Sequence, residues 1–574
     1  MSRRRAPSLA PRIGLGLAVL VGALVPAGAV SPVAAADPGP DLVVDASKDR
    51  HAISPDIYGV NFAGTAFSKA QLRSMGITLD RWGGNSTTRY DFTTGFHNTG
   101  SDWYFENIPP DTTHPLPHAA LIEADRAAGV RSIITMPLIG WTPRKDSPTD
   151  HPFACGFPAS AFPNQESTDP YDPHCGNGVK NGHAVTGNDP TVTSRRITPS
   201  TVKGWVASLV ARYGRRAAGG VAYVELDNEP ALWDDTHRDV SPDPLTYDGL
   251  LARTVAYAKA IKAADPTVRT LGPSDWGWCA YVYSPADPGG CSDGADRKAH
   301  GDLPFVAWYL RRLHALSVAN GKRLLDVLDE HYYPQSGVAL RDAGDAATQA
   351  LRLRSTRSLW DPTYIDESWI SDLAQGGVAV KLIPRLKAWV RAEYPGTKLG
   401  ITEYNFGGLE SLNGALAQAD VLGILGREGV DLATLWDPGA ASDPWAFAFR
   451  MFRNHDGAGV AASRFGETSV RARSVDAGQP DRPNGGQDRL AAYAAVRRSD
   501  GALTVMVINK TATDLASELS IAGFTPAATA HVWRYSNADL GAIDHAPDAD
   551  VTGGAVTLTY PARSITLLVV PRAS

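Results

Sequence analysis

Cysteine is scarce in this sequence: four residues in 574, none in a C-x-x-C pair and none grouped with histidine at zinc-ligand spacing. A zinc-finger framework is thereby excluded. Cys155 and Cys175 are 20 residues apart, Cys279 and Cys291 are 12 apart, and three pairings are open. The two local pairings close short loops and suit an oxidising compartment. Basic clusters are missing as well. Lys and Arg number 55 against 61 Asp and Glu, a net charge of −6. Beyond residue 36 the balance is 51 to 61, or −10, because the first 36 residues hold Arg3, Arg4, Arg5 and Arg12 and no acid. Without clustered cations there is little to neutralise phosphates, which argues against a nucleic-acid partner and against attraction to an anionic membrane. No stretch after the N-terminus reaches the roughly 18 uninterrupted apolar residues of a membrane span. Short-period repeats and Ser/Pro-rich linkers are also absent, so no flexibly tethered module is expected.

What is present is a globular composition, 43% apolar and 20% charged, with 55 Gly and 41 Pro marking many loops. Residues 1–36 read as a secretory signal: Arg3 to Arg5 as a positive start, Ile13 to Val30 as an apolar, Gly-interrupted centre, and Ala34-Ala35-Ala36 as a small-residue cleavage site. The mature protein is expected outside the cell.

From Ile57 to Trp436 one pattern recurs: a short β-rich apolar run, a polar or aromatic tip, then an amphipathic helix. The runs are Ile57–Phe62, Ile77–Trp82, Arg131–Leu138, Val221–Leu226, Val268–Gly272, Leu324–Asp329, Leu399–Thr402 and Leu432–Trp436. Helical stretches between them include Val202–Tyr213, Leu250–Ala264, Phe305–Val318, Leu382–Tyr394 and Ala415–Arg427. Gly76, Gly129, Gly214, Asp265-Pro266, Pro395-Gly396 and Gly429 stand where such helices stop. Eight strand–helix units with buried, non-alternating strands predict an α/β fold, a (β/α)8 TIM barrel over residues 56–452. From residue 453 to 574 long helices give way to β-branched or alternating runs (Leu503–Ile508, His531–Tyr535, Ala555–Tyr560, Ser564–Val570), which predict an additional β-sandwich domain. Residues 37–55, with Asp41–Asp45, are expected to add strands to it.

In such a barrel the chemistry sits at the C-terminal ends of the strands. The fourth run ends in Glu225-Leu226-Asp227-Asn228-Glu229-Pro230 and the seventh in Thr402-Glu403-Tyr404-Asn405. Glu229 and Glu403 can therefore face each other across one pocket, and two carboxylates flanking a glycosidic bond are what sugar hydrolysis needs. Asn228-Glu229-Pro230 alone reads equally well as a helix start. Arg81 and Trp82 end the second run, Asn85 follows it, and His331, Tyr332 and Tyr333 follow the sixth. An Arg beside a carboxylate keeps it ionised, although Arg81 also suits an ion pair with Asp80 or Asp91. Of 14 Trp, eight (82, 141, 233, 276, 278, 360, 369 and 436) fall at or just after strand ends. Indoles there would stack on pyranose faces, so Trp82, Trp233, Trp360, Trp369 and Trp436, with Tyr404, are expected to line a polysaccharide cleft. The long segments 142–200 and 335–378 would build its walls.

These residues together resemble glycoside hydrolase family 44, the β-1,4-endoglucanases and xyloglucanases. The resemblance rests on Tyr58–Asn61, Arg81–Tyr90, Leu226–Trp233, His331–Pro334, Leu359–Ile370 and Ile401–Asn405. It implies a barrel with a sandwich assembled from both chain ends, and a retaining mechanism with Glu229 as acid/base and Glu403 as nucleophile. It also implies a plant cell-wall β-glucan as partner, with no nucleic acid or membrane and a monomeric chain. No cofactor is required; a structural calcium would fit the family, but no Asp/Glu/Gly loop reads as its site. The rival readings are an exo-acting barrel hydrolase such as an arabinofuranosidase, which needs a closed pocket, and a non-catalytic polysaccharide-binding protein, in which both Glu would be idle.

Overall fold

The computed structural model describes residues 36–62, 66–110, 117–287, 291, 294–373, 378–454, 462–476, 478–479, 482 and 484–573. The proposed leader therefore lies, up to residue 35, outside the described residues. Eight parallel strands close into a barrel: β1 (Gly59–Asn61), β2 (Leu79–Trp82), β3 (Arg131–Met136), β4 (Tyr223–Leu226), β5 (Arg269–Trp276), β6 (Val327–Tyr332), β7 (Lys398–Tyr404) and β8 (Leu432–Leu435), in sequential order with β8 pairing β1. Each is followed by its helix: α1 (Lys69–Met75), α2 (His118–Ala128), α3 (Pro199–Tyr213), α4 (Tyr247–Ala264), α5 (Phe305–Ala319), α6 (Leu382–Glu393), α7 (Leu412–Glu428) and α8 (Pro444–Arg453). All eight runs expected from the sequence are these strands, and β5, β6 and β7 extend past the expected ends.

Polar residues interrupt the strands where β-propensity would favour Val or Ile: Arg81, Thr135, Glu225, Asp329 and Thr402 are all buried. They satisfy one another inside the barrel. Asp329 accepts from Ser274 Oγ at 2.6 Å and from Thr402 Oγ1 at 2.5 Å, and Glu225 accepts from Thr135, Thr402 and Arg81. Buried polar groups persist only when paired in this way.

The C-terminal strands are β9 (Thr468–Val475), β10 (Leu490–Val496), β11 (Leu503–Asn509), β12 (Leu515–Ala522), β13 (Thr529–Ser536), β14 (Asp539–Asp550), β15 (Ala555–Tyr560) and β16 (Ser564–Val570). They make one hydrogen-bonded path rather than two separate sheets. The corner is β9, which pairs with β10 through Thr468–Val470 and with Asp41–Asp45 through Arg471–Val475. Folded over there, the two halves enclose a core that includes Leu42, Val44, Val505, Leu519, Val532 and Leu568, the layered solution in which one strand turns between sheets.

Helix α7 joins this domain to the barrel. It is apolar almost all round, and nearly every residue from Asn413 to Gly426 is buried. A helix of that composition must be covered on both sides: α8 of the barrel packs against it, and so do β10 and β11 of the sheet domain. Gly423 is required because a Cβ would meet the Tyr493 ring at 2.3 Å. The buried acid on the helix, Asp420, is paired with Lys510 at 2.6 Å and accepts from Tyr493 and Thr356 hydroxyls. Among the described residues no helix is long and apolar enough to cross a membrane.

Candidate active site

At the C-terminal end of the barrel, β6 and β7 pair with a register shift: Asp329 stands opposite Gly400 but His331 opposite Glu403. Consecutive strand residues normally point to opposite faces. The bulge places both Thr402, which bonds Asp329, and Glu403 inside the barrel mouth, as bulges next to active sites do. Glu229 reaches the same mouth by a different device. Its backbone lies in the left-handed region at φ 44°, as do Asp227 at 72° and Ser274 at 57°. Such conformations are costly for non-glycine residues and gather at functional sites. The Glu229 N–H donates to Ser274 O at 2.9 Å, and Pro230 opens a 3-10 turn whose cap position is Glu229 rather than the expected Asn228.

A carboxylate oxygen of Glu229, one of Glu403 and a ring nitrogen of His331 all lie within 4.8 Å of one another. His331 Nδ1 is 2.9 Å from Glu229 Oε1 and 3.6 Å from Glu403 Oε2. Glu229 is 8% exposed and Glu403 5%, so both touch the mouth from a nearly dry setting.

Arg81 organises the floor. Its Nε donates to Glu225, at 2.9 and 2.8 Å from the two carboxylate oxygens. Nη1 donates to Glu403 Oε1 at 2.6 Å and to Asn61 Oδ1 at 3.1 Å, and Nη2 donates to Asn228 Oδ1 at 2.8 Å. Burial works against this guanidinium's charge, but Glu225 and Glu403 outweigh it and hold it protonated. Gly83 leaves room for the fork, since a Cβ there would lie 2.3 Å from Arg81 Cζ. The ion-pair reading for Arg81 holds, but with different acids: Asp91 pairs instead with Arg195 at 2.7 Å.

The two carboxylates differ electrostatically. Burial, and then the nearby Glu403 charge, holds Glu229 well above the ordinary carboxylate range. Burial raises Glu403 too, but Arg81 and a hydrogen bond from Tyr333 at 2.8 Å oppose it. Glu403 therefore ionises first, leaving a charged and a neutral carboxyl side by side. Burial and then Arg81 push His331 well below its usual range, so its ring is neutral. A neutral imidazole can donate to an ionised Glu229 or accept from a protonated one.

Asn228 links this floor to the rim: its Oδ1 also accepts from Gly84 N, and its Nδ2 donates to Asn85 Oδ1 at 3.1 Å. Trp436 is half-buried against Gly84 and lies edge-on to Phe62 at 5.8 Å. Trp369 is 38% exposed and donates Nε1–H to Gln335. Trp82, Trp233, Trp360 and Tyr404, expected to line the cleft, are not at its surface, and neither is Tyr332. Trp82 is fully buried against Tyr90 and Trp205, because its strand places it outside the barrel under α2 and α3. Trp233 is buried and donates to Asn228 O, supporting the Glu229 turn from beneath. Tyr332 and Tyr404 point into the core, the latter accepting from Gln418 on α7. Trp360 packs under Arg427 at the junction with the sheet domain. Trp141, also expected near the mouth, is covered by Arg196 at 3.8 Å. Cys155–Cys175 and Cys279–Cys291 form the two local disulfides.

A second cluster escaped the sequence reading. Glu106, Asp169 and Asp172 are buried together beside the Cys155–Cys175 bridge. Glu106 Oε1 accepts no hydrogen bond among the described residues, and burial, then Asp169, pushes its carboxyl up to about 8. The only sequence signal is acidic residues spaced across two loops, which is too common to single out.

A sequence model of glycoside hydrolase family 44 matches residues 96–336. Endoglucanase A of Paenibacillus lautus is 30% identical over 574 residues, covering 96% of this chain and 75% of that protein. The crystal structure of CelM2, a bifunctional glucanase-xylanase from a metagenome library, is 39% identical with a TM-score of 0.85, over 94% of this chain and all of that one. The Paenibacillus polymyxa family 44 xyloglucanase is 28% identical with a TM-score of 0.72, over 92% and 99%. With the paired carboxylates at the ends of β4 and β7 and relatives matched along nearly its whole length, this chain belongs to glycoside hydrolase family 44 and is a glycoside hydrolase.

Proposed function

We propose that this protein is a secreted, retaining, endo-acting hydrolase of β-1,4-glucan backbones, with xyloglucan and soluble or amorphous cellulose as substrates. Glu403, ionised and oriented by Arg81 and Tyr333, attacks the anomeric carbon and forms a glycosyl ester. Glu229, protonated, gives its proton to the departing sugar oxygen. Glu229 then takes a proton from water, whose oxygen attacks the anomeric carbon and releases Glu403. His331 holds Glu229 in place through both protonation states. The single observation that carries this reading is the approach of the two carboxylates to within 4.8 Å. Retaining enzymes need about 5–5.5 Å, whereas inverting ones leave roughly 6.5–9.5 Å for a water. The relatives described as endoglucanase and xyloglucanase support the substrate class. Residues 1–36 supply the export signal, and the chain acts as a monomer.

Proton NMR of the first product decides the stereochemistry: a β-anomer is expected, and an initial α-anomer sinks the double displacement. Viscosity falling ahead of reducing-end release on xyloglucan supports endo action; release of single sugars without viscosity loss refutes it.

Calcium is the one metal this reading includes. Glu106, Asp169 and Asp172 fit it, because three buried carboxyls held close together supply the oxygen donors and the negative charge that a hard cation takes. Bound there, the ion would neutralise these acids and tie the loop of Cys155–Cys175 to the segment around Glu106.

A further inference from the structure

Strand β14 forms the free edge of the sheet, paired only with β13. Its sequence, Asp539 to Asp550, holds four Asp, one His and Pro547, with no Lys or Arg, and most of it is exposed. Charge and proline are what keep an edge strand from pairing with another chain, yet the same composition gives the strand little intrinsic reason to stay in the sheet.

The pairing is irregular where it matters. Ala530 stands opposite Ala549, but Val532 stands opposite Ala546, so β14 carries one extra residue there. In a regular strand His545 and Asp548 would point to opposite faces. The bulge brings them to one face, together with His531 from β13. His531 Nδ1 lies 3.1 Å from Asp548 Oδ2, and His545 Nε2 lies 3.2 Å from Asp548 Oδ1. One donor atom from each of the three residues falls within 4.8 Å of the others. For ligands about 2.0–2.2 Å from a tetrahedral ion, the ligand–ligand edge is roughly 3.3–3.6 Å. Both measured separations fall just inside that edge, each histidine facing a different Asp548 oxygen, as around a carboxylate that can bind through either one. The His545 ring is held by stacking on Trp533 at 4.5 Å and 24°. The His545 side chain is 44% exposed and that of Asp548 37%, leaving one side open for water.

We propose that His531, His545 and Asp548 form a divalent transition-metal site that takes Zn2+ and staples edge strand β14 to β13. Two imidazoles and one carboxylate suit zinc better than calcium or magnesium, which prefer all-oxygen sites. The bound ion replaces the hydrogen bonds that Asp548 now makes to both rings, and the acidic strand around it adds attraction.

The test is calorimetric titration of Zn2+ into the full chain after chelator treatment and buffer exchange, beside the His531→Ala/His545→Ala double variant. Zinc taken up at the catalytic carboxylates or at Glu106 is common to both proteins and cancels. The wild type should bind one equivalent more than the double variant, and His545→Ala alone should weaken that equivalent by about 100-fold. Carbethoxylation of the wild type, read by mass spectrometry, is a check that needs no variant: zinc should protect His531 and His545. Equal stoichiometries, or equal modification of both histidines with and without zinc, overturn the proposal.

Discussion

Arg81 Nη1 stands 2.6 Å from Glu403 Oε1, while its Nε grips Glu225 on β4, the strand that leads into Glu229. That guanidinium makes two otherwise similar glutamates unequal, because it touches one and not the other. Replacing Arg81 by Lys keeps a charge but loses the fork that spans Glu225, Glu403, Asn61 and Asn228. Breaking a buried pair of this kind costs about 3–5 kcal/mol. Arg81→Lys should therefore lower both kcat and the melting temperature. An unchanged melting curve would show that the network is not the support described above.

Glu403→Gln should lower kcat by about 10^4-fold or more, since no ionised nucleophile remains. Glu229→Ala should lose about 10^2- to 10^4-fold on natural substrate. Azide or an aryl glycoside with a good leaving group should recover part of the latter and none of the former. Rescue of the Glu403 variant with retained stereochemistry would reverse the two roles.

The raised Glu229 carboxyl fixes the sign of a pH effect on stability. The folded state keeps a proton that the unfolded chain releases above about 4.5, so wild-type stability falls as pH rises from there through the folded value. Glu229→Gln removes that loss. Its melting temperature should match the wild type at pH 4 and exceed it increasingly toward pH 8. A constant difference across the range contradicts the assignment of the proton.

The buried and exposed indoles should separate stability from binding. Trp82→Ala should cost about 3–5 kcal/mol, as large buried truncations do, with KM unchanged in whatever folds. Trp369→Ala should leave the melting temperature unchanged and raise KM on xyloglucan by about 3- to 10-fold, the value of one stacking contact. Equal effects on KM from both would mean that Trp82 reaches the substrate after all.

Chelation tests the acidic cluster. EDTA should lower the melting temperature and calcium should restore it. Glu106→Gln should abolish that response while leaving the chemistry at Glu229 and Glu403 intact. A melting temperature indifferent to calcium removes the ion from this account.

The eight barrel strands were legible because buried parallel strands are written as local apolar runs, and local runs survive any ambiguity about their partners. The strands Thr468–Val475, Leu490–Val496, Leu515–Ala522 and Asp539–Asp550 were not picked out. The first carries three Ser/Thr and two Arg, and eight of the last one's twelve residues are Asp, Ala or Gly, so what holds each in the sheet is its neighbour rather than its own propensity. The barrel's polar interior left a fainter trace, single charges such as Arg81, Glu225 and Asp329 inside otherwise apolar runs.

Sequence alone determined the barrel, the strands that carry Glu229 and Glu403, and the order in which they come, because hydrophobic period and strand count are properties of the chain. Only tertiary structure decided which aromatic side chains face sugar and which face core. Trp82 and Trp436 both stand at the ends of barrel strands, yet one is sealed beneath helices and the other stands at the mouth. Direction at a strand end depends on bulges and left-handed residues, such as those at Glu229 and before Glu403, which are set by neighbouring strands far away in the chain.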